Sequence, residues 1–264
     1  METSKKAVVL TQTNPVKSWS CLFSVLVIVA ATFWYLQVNL IDVIAAFPSF
    51  AQFFVSNFMP ANFSNFATYL PLVLETILFA GVGTYISAVV ALIFGLLMSE
   101  EFNPFPWLRI TTRIFISFLR NIPVLIWASL LVYIFGIGNL VGLIALILAT
   151  LGFLSRSYAE SIDEIAGSKL EALKASGASY WQILFHGLFP EFAPAWLNWT
   201  LFSFEINIRA SAILGMVGAG GIGIMIQTNI RLFKYHEAFS LIIVMVLMVL
   251  ATELLVNRLR KSIQ

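Results

Sequence analysis

Residues 160–190 read ESIDEIAGSKLEALKASGASYWQILFHGLFP. This is a polar, helix-forming island between the strongly apolar runs 139–155 and 193–215. A hydrophobic chain that interrupts its apolar runs in this way presents the island to a soluble partner. Glu171, Ala172 and Ala175 can stand together on one helical surface, where small side chains let another surface approach closely. Gly177 permits a turn that a side chain would hinder. Tyr180 and Trp181 follow as aromatic anchors, residue types enriched at interfaces. Pro190 marks where the chain restarts into the next apolar run.

The surrounding composition is that of a polytopic membrane protein. Of 264 residues, 60% are hydrophobic and 11% charged, against about 25% charged in a soluble domain. The net charge of +2 is small and the basic residues are scattered, so nucleic-acid binding has no support. Cys21 is the single cysteine and cannot form an intramolecular disulfide. His186 and His236 are too few and too far apart to suggest a metal site, and we expect none.

Six spans are expected, near 19–38, 70–98, 112–135, 139–155, 193–215 and 238–257. Backbone groups within lipid must bond internally, so each run should be helical and the fold all-α. The first run is too long for a signal peptide and reads as an uncleaved span. Basic residues set the orientation. Lys5, Lys6 and Lys17 precede the first span, Arg109 and Arg113 lie between the second and third, and Arg156, Lys169 and Lys174 lie between the fourth and fifth. Arg258, Arg260 and Lys261 follow the last. All four regions then face the cytoplasm, as do both termini. Residues 1–69 are read as an N-terminal span plus an outer segment, which is an interfacial helix or a surface loop. Residues 70–264 form the main membrane domain, with the island helices at about 156–190. Pro123 leaves two possibilities for the third span: a kinked helix, or an interfacial stretch through Leu119 with the span proper beginning near Ile122.

Three constellations inside the apolar runs are candidates for function. Arg120 beside Pro123 either snorkels to the inner surface or contacts an anion. In the run Glu205-Ile206-Asn207-Ile208-Arg209, Glu205 and Arg209 share a helical face and can pair, while Asn207 can bond a neighbouring helix. That pair is a structural tie or part of an anion pathway. Residues 218–223 satisfy G-x-G-x-x-G, but they follow a membrane span and not a strand, so dinucleotide binding is excluded. Gly218, Gly220, Gly221 and Gly223 mark a bend, either purely structural or aiming backbone N–H groups at an anion. Glu75 is an interfacial residue or a partner for Arg120, Arg209 or Arg231.

Glu171-Ala172, Gly177 and Pro190 fall at the spacing of the EAA motif of ATP-binding-cassette importer permeases. The chain departs from that pattern at Leu173, Gly187 and Phe189. Leu119-Arg120-Asn121-Ile122-Pro123, Phe204-Glu205-Ile206-Asn207-Ile208-Arg209 and Val217-Gly218-Ala219-Gly220-Gly221-Ile222-Gly223 strengthen the likeness. From about residue 70 onward the chain resembles the phosphonate-type permeases of this family; two of the runs also resemble methionine-importer permeases. The resemblance implies a type I, MetI-like bundle in the bacterial inner membrane. It implies a second permease subunit, two ATP-binding subunits inside that hold ATP and Mg, and a solute-binding protein outside. The cargo it implies is a small phosphorus oxyanion such as phosphonate, phosphite or hypophosphite. The chain itself carries no P-loop and is expected to hold no cofactor. Rival readings are a permease for methionine or another small amino acid, and an ion-coupled secondary transporter.

Overall fold

The computed structural model describes residues 15–64 and 66–263, with the side chains of 15–18, 40, 167–172, 174 and 263 outside the description. Nearly every described residue is helical and none is in a strand. Two compact units divide at Ser56–Asn57. The first contains α1 (Pro15–Tyr35) and most of α2 (Leu40–Phe58). The outer segment is therefore helical over most of its length. Its span Ile41–Phe58 is also long and apolar enough to cross a bilayer.

The second unit is a bundle assembled on α3 (Phe66–Met98) and α6 (Asn139–Ala175). α3 is built inside out. Ala80, Gly83, Thr84, Ser87, Ala88, Ala91 and Gly95 are buried, whereas Leu74, Leu78, Val82, Tyr85, Val89 and Ile93 are exposed. Small residues let backbones approach where lipid removes the hydrophobic drive for helix association. A Cβ on Gly95 would stand 3.0 Å from Tyr158 Cβ, and one on Gly83 3.5 Å from Leu146 Cβ. The Ser87 hydroxyl donates to Ile147 O across the same seam, at 3.1 Å.

The third predicted span is broken. α4 (Pro106–Asn121) and α5 (Val124–Phe135) meet at a bend of 85°. Ile122 is extended, as steric conflict with the following proline ring demands. α4 is amphipathic, burying Thr112, Ile116 and Leu119 on one stripe. Ala128 is buried in α5, which runs only 12 residues.

After α6 come α7 (Tyr180–Gln182), a π-helical turn (Ile183–Leu188), α8 (Phe189–Met216), α9 (Ile222–Arg231) and α10 (Tyr235–Ile263). Helices therefore stand at all six predicted positions. By length and hydropathy alone, four described helices can cross a bilayer, five with the bent pair. Two expected spans fall outside that count: the described apolar stretch Trp19–Tyr35 of α1, which is too short for it, and α8, which carries Glu191, Glu205 and Arg209. At the foot of the bundle a core cluster joins Leu154, Tyr158 and Ile162 of α6 to Ile183, Leu184, Leu188 and Phe192.

Candidate functional site

The island folds as an elbow. α6 continues unbroken to Ala175 and ends in a Schellman-type turn, with the Ala178 amide donating to Leu173 O at 3.2 Å. Gly177 holds φ +82° there, with open space around the position a Cβ would take. The next helix starts with a reciprocal capping box: Gln182 N donates to the Ser179 hydroxyl, and Ser179 N to Gln182 Oε1 at 2.8 Å. Glu171 and Ala172 lie on the helical backbone of α6, but their side chains fall outside the described residues. Ala175 is exposed.

Tyr180 and Trp181 are exposed, and Trp181, Phe185 and Phe189 form a continuous stack with ring centroids 5.9 and 5.6 Å apart. Tyr180 packs edge-on against Phe102, anchoring the elbow to the loop after α3. Two departures from the family pattern compensate each other. Leu173 Cδ1 stands 2.7 Å from where a Cβ on Gly187 would be, so the larger residue on α6 occupies room left by the smaller one on the π-helical turn.

Beneath the elbow lies a tie that sequence reasoning missed. Arg113 of α4 donates to Met98 O from Nε and Nη2 (3.2 and 2.9 Å) and to Glu100 from Nη1 (3.1 Å). Its Nη2 lies 3.9 Å from Asp163 of α6. Asp163 Oδ1 in turn accepts from the Ser99 hydroxyl and the Glu100 amide. A cation on the terminal carbonyls of α3 complements the helix dipole. The cluster ties α3, α4 and α6 together. The sequence offered Arg113 only as a topology marker; its partners lie 13 to 50 positions away.

α8 separates the polar residues of the apolar core onto two faces. On one, Glu205 accepts from Arg209 one turn later, and Arg260 Nη2 of α10 lies 3.8 Å from its second oxygen. The Arg260 guanidinium also sits 5.7 Å from the Phe202 ring centroid. On the other face, Asn207 donates to Thr84 Oγ1 of α3 (2.9 Å) and accepts from Thr150 Oγ1 of α6 (3.0 Å). Arg120, Val124, Thr150, Ser203 and Asn207 line a cavity of about 250 Å3. Glu205 and Arg209 are absent from its lining. The structure thus brings Arg120 and Asn207 together and sets Glu205 with Arg209 apart. Gly152 of α6 makes room for this arrangement, because a Cβ there would come within 2.8 Å of Arg120 N.

The glycine run forms a packed turn. Gly218, Gly220 and Gly221 take φ of +95°, +95° and +71°, which only glycine adopts readily. The Ile222 amide, first in α9, donates to Thr76 Oγ1 of α3 at 3.0 Å. A Cβ on Gly223 would lie 1.9 Å from Ala212 O, so α9 folds back hard against α8. Glu75 accepts from Asn139, not from Arg120, Arg209 or Arg231, and Asn139 flanks Gly220. Pro123 is the N-cap residue of α5, and no side chain caps that helix. No group of three or more potential metal ligands occurs among the described residues.

The family profile of the binding-protein-dependent transport system inner membrane component matches residues 91–264. The phosphite transport system permease protein PtxC of Stutzerimonas stutzeri is 31% identical over 231 residues, covering 86% of this chain and 83% of that protein. The phosphate-import permease protein PhnE of Mycolicibacterium smegmatis is 33% identical over 190 residues, 72% of this chain but only 36% of its own length. An inward-facing MetNI methionine ABC transporter structure superposes with a TM-score of 0.65 at 22% identity, over 74% of this chain and 96% of that one.

Proposed function

Because this chain belongs to the family of binding-protein-dependent inner-membrane transport components, we propose that it is the permease through which an ABC importer passes a phosphorus oxyanion: phosphonate, phosphite or hypophosphite. The cargo assignment is supported by the phosphite and phosphate permeases among its relatives. One geometric observation carries the mechanical assignment: a braced elbow that exposes Trp181 and Phe185, stacked in line with half-buried Phe189, on a helix continuous with the bundle core.

ATP and Mg belong to two partner ATPases seated on the elbow; Glu171, Ala172, Ala175, Gly177, Tyr180 and Trp181 form the contact. A solute-binding protein delivers the anion from outside, and a second permease, identical or related, completes the passage. Both termini and the elbow are cytoplasmic. Closure of the ATPases pushes on the elbow. The π-helical turn and the core cluster carry that displacement into α6 and α8. The bends at Pro123 and at residues 217–221 let helices reorient without breaking the bundle. The cycle is a shift between two packings, each favoured by different contacts.

The test is uptake in proteoliposomes containing this permease, its ATPase and its binding protein. Phosphite or a phosphonate should accumulate only with ATP, and uptake of methionine in its place would overturn the cargo. Gly177→Ile should uncouple ATP hydrolysis from uptake while leaving assembly intact. In a Cys21→Ser background, Ser176→Cys should react with an impermeant thiol reagent only from the cytoplasmic side. Reaction only from outside would invert the assignment.

A further inference from the structure

The Ser203 hydroxyl is buried, the residue being 2% exposed, and it makes no hydrogen bond within the chain. A helical serine ordinarily returns its hydroxyl to the carbonyl one turn back, as Ser129 and Ser157 do here. Buried polar groups without partners are rare enough in folded proteins to require a reason. Ser203 lines the same cavity as Arg120. That cavity also receives the start of α5 through Val124, and no side chain caps this helix. Its first-turn amides carry the positive end of the helix dipole.

These three features share one chemistry. A guanidinium, an uncapped helix start and a hydroxyl are all hydrogen-bond donors, and Arg120 is the only ionisable group in the lining. Asn207 and Thr150 also line the space. Their mutual bond and the Asn207–Thr84 bond occupy part of their capacity, leaving one Asn207 N–H free. No carboxylate is present to receive an ammonium group. The arrangement suits an acceptor-only anion and disfavours a zwitterionic amino acid. At about 250 Å3 the space exceeds several times a water molecule's share of liquid volume, which is about 30 Å3. A tetrahedral oxyanion fits with part of its hydration.

We propose that this cavity is a transit site for one tetrahedral phosphorus oxyanion, held by Arg120, the start of α5 and the Ser203 hydroxyl. The inference rests on the cargo reading above and adds to it a place inside the permease where the anion pauses. The site is sparse: one full charge and a few donors bind weakly enough to let the anion leave. The bend at Pro123 gives it a conformational role. Arg120 ends α4 and the amides begin α5, so any change in the angle between these helices opens or closes the donor set around the anion.

The test uses the assembled permease–ATPase complex in nanodiscs without the binding protein, with phosphite as probe. Phosphorus NMR line broadening reports binding, and thermal melting reports stability. Ser203→Ala should weaken phosphite binding about tenfold, the equilibrium effect of one hydrogen bond to a charged group. Arg120→Gln should weaken it further. Lys234→Gln, the same charge change in the loop before α10, should leave it unaltered. Phosphate-like binding to the ATPases persists in all variants and so cannot imitate this pattern. In anion-free buffer Ser203→Ala should melt at the same temperature as wild type or higher, because it removes an unpartnered buried hydroxyl. Unaltered binding in Ser203→Ala, a lower melting temperature in that variant without anion, or equal loss in Lys234→Gln would overturn the transit site. ATP-driven phosphite uptake with no binding to the assembly would sink the transit site and leave the cargo reading standing. Failure of uptake itself would sink the cargo reading.

Discussion

Two faces of α8 hold polar residues in the same apolar surroundings, and they hold them differently. Phe202, Glu205 and Arg209 turn toward α10, where Arg260 completes a charged cluster. Ser203, Asn207 and Ala210 turn toward α5 and α6, where a cavity opens. The first face carries full charges in close company, one carboxylate between two guanidiniums, with Arg260 Nε and Nη2 buried and making no hydrogen bond. The second carries neutral donors with capacity left over, beside one uncompensated arginine. Ion pairing within the protein fastens helices, whereas donors that line an open cavity are available to a solute. The proposed transit site draws on Arg120 and Ser203, whereas Glu205 and Arg209 pair within the protein, although all of them appear as polar residues of apolar runs in the sequence.

Removing the centre of the charged face should do the greatest damage. Glu205→Ala leaves two guanidiniums facing each other in a half-dry site. Breaking a buried ion pair costs about 3–5 kcal/mol. The lower end applies here, because the Arg209 side chain is 48% exposed. Melting of the purified assembly should register this as the largest single loss on α8. A loss within the range of ordinary surface substitutions would show that Arg260 and Arg209 are solvated and that the face is not a fastening. Asn207→Ala comes next, at about 2 kcal/mol for two hydrogen bonds. Thr84 retains a bond to Ala80 O at 2.6 Å, which limits the damage. If Asn207→Ala proved more harmful than Glu205→Ala, the neutral face would be the main fastening and the comparison would reverse.

The sequence disclosed these features unevenly, for physical reasons. Local chemistry was legible. Gly177 turns, Pro123 breaks a helix, and Glu205 pairs with Arg209 four residues on, because each depends on neighbours within a turn or two. Long-range partners were not. Arg260 and Glu205 are 55 positions apart, and nothing in either local pattern announces the other. The Leu173–Gly187 exchange reads as two departures from a motif until the structure shows one filling the other's space. Glu75 was a candidate partner for three arginines, yet it bonds Asn139, a neutral residue that charge counting passes over. Ser203 could not have been singled out at all. Its interest lies in a hydrogen bond it does not make, and only a packed neighbourhood reveals that. For α2, composition suits an interfacial helix and a crossing helix equally, and Ile41–Phe58 meets the length needed for the second.

Arg209→Gln gives the smallest effect on stability and the sharpest view of the two faces. Its side chain is half exposed and pairs within its own helix, a kind of contact worth about 0.3–0.5 kcal/mol. Glutamine can still donate to Glu205, and Arg260 stays close to the second carboxylate oxygen. The fold should therefore survive with little change in melting temperature. Uptake should fall, since α8 and α10 lose part of the charge that keeps their packing defined through the cycle. The order of preference among phosphite, hypophosphite and methylphosphonate should not change, because Arg209 does not line the cavity. Uptake of all three, measured side by side for Arg209→Gln and Arg120→Gln, supplies the check. If the arginine on the charged face altered cargo order and Arg120 did not, the solute would pass along the charged face, and the fastening would be the pathway.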